Sequence, residues 1–134
     1  MITVFIGEDD PTQALYLKKV LTKITGTPPT VFPDGLALYQ AIQQDRPDLI
    51  ISDNILPKLD GVDIARLVKY HERTQAIPFL MVSAIRSDLL EGFDECGADG
   101  FLSKPVKRVE LAEIIETLFG PMAPPEPKSE SEAE

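Results

Sequence analysis

Apolar positions along this chain follow two alternating rhythms. Residues 2–7, ITVFIG, form an unbroken apolar run rich in β-branched side chains that ends at acids. Such a run predicts a strand buried on both faces. Asp10 then offers a helix cap, with Pro11 at the first helical position. Ala14, Leu17, Leu21 and Ile24 recur at helical spacing until Gly26, Pro28 and Pro29 stop the helix. TVF (30–32) is a short second strand, and DGLALYQAIQQD (34–45) a second helix with Leu38, Ala41 and Ile42 on one face. PDLIIS (47–52) predicts a third buried strand that ends at Asp53.

The remainder repeats the scheme. DGVDIARLVKYHER (60–73) predicts a helix, IPFLMVSA (77–84) a fourth strand, SDLLEGFDECG (87–97) a shorter, weaker helix, and GFLS (100–103) a brief fifth strand. KRVELAEIIETLFG (107–120) closes the pattern with Leu111, Ile114, Ile115 and Leu118 along one face. Five strands alternating with five helices predict an α/β fold: one doubly wound parallel sheet with right-handed crossovers and helices on both faces. Ligands of such sheets bind beyond the carboxyl ends of the strands.

Composition narrows the function. A chain of 134 residues with 43% hydrophobic and 26% charged residues is sized for one ordinary globular domain. Its formal net charge of −9 argues against nucleic acid as a direct partner, because phosphate repels such a surface. No apolar stretch approaches the roughly 18 residues of a membrane span, and no basic segment precedes the first apolar run. A single cysteine, Cys96, precludes an internal disulfide and fits a reducing, cytoplasmic compartment. Beyond Gly120 the chain turns to Pro, Glu and Ser. Residues 121–134 are therefore expected to be a disordered tail or the start of a linker, and residues 1–120 the folded domain.

The strand ends carry the chemistry. Glu8, Asp9 and Asp10 follow the first strand, and Asp53 ends the third. Were these strands neighbours, the acids would share one pocket. Each like-charged pair at about 4 Å costs roughly 4 kcal/mol at an effective dielectric near 20. Such a cluster needs a proton or a cation, and carboxylates with backbone carbonyls suit a hard divalent ion, Mg²⁺ above all. The fourth strand ends at Ser83 beside Ala84, and the fifth delivers Lys104 to the same rim. Three carboxylates, a divalent cation and one ammonium balance in charge. A carboxylate there can attack phosphorus, so Asp53 reads as a phosphate acceptor.

Taken in order, EDD (8–10), SDNILPKLDG (52–61), VSA (82–84) and KP (104–105) resemble the receiver domain of two-component response regulators. The resemblance implies a flavodoxin-like, chemotaxis-regulator-like (βα)5 domain with strand order 2-1-3-4-5. It implies that Asp53 is phosphorylated, that Asp9 ligates Mg²⁺ with Glu8 in support, and that the backbone carbonyl of Ile55 is a further ligand. Ser83 would turn its hydroxyl to the phosphoryl group and Lys104 would pair with it. Pro57, Gly61, Ala84 and Pro105 would shape the surrounding loops, a cis bond before Pro105 aiming Lys104. Phe101 occupies the aromatic switch position, coupling Ser83 to the surface of the fourth helix, fifth strand and fifth helix. The implied partners are a sensor histidine kinase or a histidine phosphotransfer protein, and an output protein the sequence does not name. A monomer or weak dimer is expected.

Several positions depart from the commonest family pattern. Leu56 stands where many members have Met, Ser83 replaces the more frequent threonine, and Phe101 lacks the hydroxyl of the usual tyrosine. Ile55 and Ile85, two residues after Asp53 and Ser83, are apolar and are expected to hinder an attacking water. Other residues have structural readings: Asp10 as a helix cap, His71 as a solvated helix-end residue, Cys96 as a small buried side chain, Gly97 and Gly100 as turn formers. Two other functions fit these residues less well. Aspartyl-nucleophile phosphohydrolases carry Asp-x-Asp after the first strand, whereas here the acceptor stands in DNI after the third. A non-phosphorylated interaction module would have lost the acceptor, an acid or the lysine, and all are present.

Overall fold

The computed structural model describes residues 1–122. Its elements are β1 (Val4–Gly7), α1 (Pro11–Thr25), β2 (Thr30–Phe32), α2 (Gly35–Asp45), β3 (Leu49–Asp53), α3 (Gly61–Lys69), β4 (Phe79–Ser83), α4 (Phe93–Cys96), β5 (Gly100–Ser103) and α5 (Arg108–Phe119). The five strands form one parallel sheet, as the strand and helix pattern predicts, in the order β2-β1-β3-β4-β5 that the resemblance implies. The tail expectation for 121–134 lies, from residue 123 onward, outside the described residues.

The period-two alternation of strand side chains explains why the strand sequences are apolar throughout. One face of the sheet carries Val4, Ile6, Leu49, Ile51, Leu80 and Val82 against Leu17 and Leu21 of α1 and Leu111 and Ile115 of α5. The other carries Phe5, Ile50, Phe79 and Met81 against Leu38 and Ile42 of α2 and Ile64 and Val68 of α3. Each such buried side chain contributes about 1.5–3 kcal/mol relative to exposure, so both faces stabilise the sheet. Leu118, expected on the core face of α5, is 38% exposed and does not join that core.

Helix starts follow the sequence closely. The carboxylates of Asp10, Asp34 and Asp60 accept amide hydrogen bonds from Thr12, Ala37 and Asp63, capping α1, α2 and α3. Helix ends differ. α3 stops at Lys69 instead of running to residue 73, because the buried Thr74 hydroxyl donates to the Val68 carbonyl and turns the chain. The single helix expected over 87–97 is interrupted by Gly92 at φ 83°, leaving a 3₁₀ turn at Ser87–Leu89 and a one-turn α4. Its neighbours explain the bend: a Cβ on residue 92 would sit 3.0 Å from Val62 Cγ1.

At the amino ends of the strands, Lys69 closes a latch. Its ammonium donates to the Ile77 carbonyl at 2.6 Å and the Gln75 carbonyl at 3.0 Å, and pairs with Asp99 Oδ2 at 2.6 Å. The same Asp99 oxygen accepts the Phe79 amide at 2.8 Å, tying α3 to the start of β4 and β5.

Candidate functional site

The strand register brings the acids together. β1 and β3 are neighbours with Gly7 opposite Ser52, so Glu8 and Asp53 emerge side by side at the carboxyl edge of the sheet. β3 pairs with β4 through Asp53 and Val82, and β4 with β5 through Ser83 and Ser103. Ser83 and Lys104 therefore reach the same edge, where the Lys104 amide donates to the Ser83 carbonyl at 2.9 Å.

Oxygens of Glu8, Asp9 and Asp53 lie within 4.8 Å of one another. Glu8 and Asp53 are 3% and 7% exposed, whereas Asp9 is exposed. The Lys104 ammonium stands 2.8 Å from Asp53 Oδ2 and 3.5 Å from Glu8 Oε1. Burial pushes the Glu8 carboxyl above its usual value; the Asp10 amide opposes this, and the Asp53 charge adds to it. Burial alone would lower the Lys104 ammonium, but hydrogen bonding to Asp53 and the charges of Asp53 and Glu8 outweigh it, and its pKa is raised. Three carboxylates served by one ammonium leave excess negative charge. All the donors are hard oxygens, so the set fits a hard divalent cation such as Mg²⁺. Among the described residues it is the one cluster of this kind.

The other predicted residues surround this centre. Ser83 is fully buried, and its Oγ accepts the Ile85 amide at 2.8 Å; Ala84 beside it is exposed. Phe101 is half-buried and meets Phe93 of α4 edge to face, with ring centroids 5.3 Å apart. The Lys104–Pro105 bond is cis. Ile55 follows Asp53 closely, its amide 3.5 Å from Asp53 Oδ1, and its side chain is 65% exposed; Ile85 is 40% exposed. Gly61 abuts the end of β3: a Cβ there would lie 2.4 Å from the Asp53 carbonyl oxygen. Pro57 turns its carbonyl toward two amides, those of Gly35 at 2.9 Å and Leu59 at 2.8 Å.

Three supports of the site were not read from the sequence. Leu56 is buried against the α2 side of the core, Lys58 adopts a left-handed φ of 72°, and Gly35 of α2 touches the loop after Asp53. The sequence signal for Gly35 was a glycine directly after a cap, in a place where a helix has no conformational use for one. His71 is exposed and its Nδ1 accepts the Arg73 amide, and Cys96 is buried, both as read.

Comparison with known proteins places the chain among relatives of one kind. Residues 4–116 match the family model described as the response regulator receiver domain. The transcriptional regulatory protein RprY of Bacteroides fragilis is 32% identical over 118 residues, which cover 88% of this chain and 49% of RprY. The chain thus spans about half the length of the curated relatives it matches. Among solved structures, the signal receiver domain of a signal transduction histidine kinase from Syntrophus aciditrophicus aligns with a TM-score of 0.81 at 36% identity, over 88% of this chain and 89% of that one. The receiver domain of the sensor histidine kinase PA1611 from Pseudomonas aeruginosa, whose structure holds a magnesium ion in its active-site cleft, aligns with a TM-score of 0.77 at 26% identity, over 89% and 98%. No helix among the described residues is long and apolar enough to cross a membrane.

Proposed function

The chain belongs to the response regulator receiver domain family of two-component systems, and from that premise we propose that Asp53 accepts a phosphoryl group. The donor is a histidine kinase or a histidine phosphotransfer protein. An Asp53 carboxylate oxygen attacks phosphorus, a P–O bond forms, and the P–N bond to the donor imidazole breaks. The bonding pair returns to the imidazole nitrogen. The observation that carries this reading is the juxtaposition of a buried carboxylate, an ammonium 2.8 Å away, and two further acids. Lys104 lies close enough to follow a phosphoryl oxygen as charge develops on it, and Ser83 is one strand away on the same edge.

Glu8, Asp9, Asp53 and the Ile55 carbonyl would hold Mg²⁺, by analogy with the cation in the PA1611 receiver. When bound, the cation supplies positive charge to the oxygens of the transferring group. Incubation with Mg²⁺ and acetyl phosphate should add one phosphoryl mass to the wild type and none to Asp53→Ala. Equal labelling of both would displace the assignment.

The domain proposed is residues 1–120, acting in the cytoplasm as a switch. Phosphorylation draws the Ser83 hydroxyl toward the phosphoryl oxygens, and Phe101 follows into the space released. Because Phe101 packs on Phe93, that rotation reaches the surface of α4, β5 and α5 and changes its fit to an output protein. RprY is a transcriptional regulator as a whole. The net charge of −9 argues that any nucleic-acid contact is made by other parts of such an assembly.

A further inference from the structure

The cation site read above takes side-chain ligands from rigid strand ends, but its remaining ligand, the Ile55 carbonyl, lies on the loop between β3 and α3. What holds that loop is visible. Leu56 is buried, and its side chain meets Leu38 of α2 over Gly7: a Cβ on Gly7 would lie 2.8 Å from Leu38 Cδ2 and 2.9 Å from Leu56 Cδ1. The Gly35 amide, the first of α2, donates to the Pro57 carbonyl at 2.9 Å, and Leu59 donates to the same oxygen at 2.8 Å. The Lys58–Asp34 ion pair, at 4.0 Å with the Lys58 side chain largely exposed, adds little.

At Gly35 the loop also passes very close to α2. A Cβ there would lie 1.7 Å from the Leu59 carbonyl oxygen, 2.7 Å from its carbon and 2.9 Å from Leu59 Cβ. Two of these three atoms are backbone, which cannot rotate aside as a side-chain tip can. Gly35 does not adopt a left-handed φ, so its conformation is open to any residue. Glycine is required there for space, and alanine would keep the Asp34 cap while forcing the loop away.

We propose that Gly35 is a positioning residue: it lets α2 close onto the Pro57–Leu59 turn and thereby sets the Ile55 carbonyl for the divalent cation. This rests on reading the Glu8–Asp9–Asp53 cluster as a cation site. The loop is then registered by α2 through Gly35, in addition to β3 through Asp53 and α3, whose Gly61 amide donates to the Asn54 carbonyl at 2.9 Å.

The test is Mg²⁺ titration of the whole chain by calorimetry, comparing wild type, Gly35→Ala and Ala37→Gly, with metal-free melting temperatures measured alongside. Ala37→Gly weakens the first turn of α2 without approaching the loop. Gly35→Ala should raise the Mg²⁺ dissociation constant about tenfold or more, as loss of a ligand's support does, while Ala37→Gly leaves it unchanged. A Gly35→Ala protein that melts lower yet binds Mg²⁺ like wild type would show a purely structural role and overturn the proposal, as would equal weakening by Ala37→Gly. Failure of wild type itself to bind Mg²⁺ would instead remove the cation reading, and the proposal with it. Should Gly35→Ala not fold, hydrogen exchange of the wild type decides: Mg²⁺ should slow exchange of the Gly35 and Leu59 amides, and unchanged rates would overturn the proposal.

Discussion

Lys104 Nζ sits between two carboxylates from different strands, 2.8 Å from Asp53 Oδ2 and 3.5 Å from Glu8 Oε1. One ammonium on the loop after β5 thus counters charge gathered from β1 and β3. Because it is the only cation paired with this cluster among the described residues, its removal should affect both chemistry and stability. Lys104→Met should slow phosphorylation by acetyl phosphate roughly a hundredfold, the scale of losing one charge-stabilising donor. It should also lower the metal-free melting temperature. A rate within twofold of wild type would contradict the role given to Lys104.

Glu8 makes metal-free stability depend on pH. Its carboxyl is held above the usual 4.5, burial being the main cause, so the folded state binds that proton more tightly than the unfolded chain does. The stabilisation is full below the unfolded value and is lost as pH rises through the raised one. In EDTA, Glu8→Gln should therefore gain on wild type in melting temperature as pH rises above the ordinary Glu value of 4.5. Saturating Mg²⁺ should reverse the order at neutral pH. A difference that is flat with pH would show that the Glu8 charge is not disfavoured in the fold.

Ile55 and Ile85, two residues after Asp53 and Ser83, are 65% and 40% exposed, and on the proposed reading a hydrolytic water approaches the acyl phosphate past them. Neither side chain can orient that water. The double variant Ile55→Asn, Ile85→Glu should shorten the phosphoryl lifetime on the order of tenfold by supplying polar contacts. Decay followed by phosphate release checks this, and an unchanged lifetime would remove the isoleucines from the account.

The Lys69 latch lies at the other end of the strands. Lys69→Met leaves the Gln75 and Ile77 carbonyls without their donor and the Asp99 carboxylate with the Phe79 amide alone. Denaturant unfolding should show a loss of about 1–3 kcal/mol, with Mg²⁺ affinity unchanged. A parallel loss of Mg²⁺ affinity would mean that the two ends of the sheet are coupled.

The elements readable in advance were those whose signals are local. The runs ending at Glu8, Asp53 and Ser83 announced strands buried on both faces, and the sheet order places their ends together as adjacency demands. Asp10 announced the start of α1 because a cap acts within one turn, and Asp34 and Asp60 cap α2 and α3 in the same way. What escaped depends on distant contacts. The break at Gly92 reflects Val62 and Arg66 on α3, the early end of α3 reflects a hydroxyl five residues past it, and the role of Gly35 reflects a loop more than twenty residues away. Periodicity carries no record of such neighbours.

The central claim is that Asp53, and no other acid in the pocket, takes the phosphoryl group. Borohydride reduction of the phosphorylated protein converts an aspartyl phosphate to homoserine, and peptide mass spectrometry then locates it. Homoserine at position 53 alone is the predicted result. Homoserine at position 9 or reduction at Glu8, or a phosphoryl group recovered on His71, would contradict it.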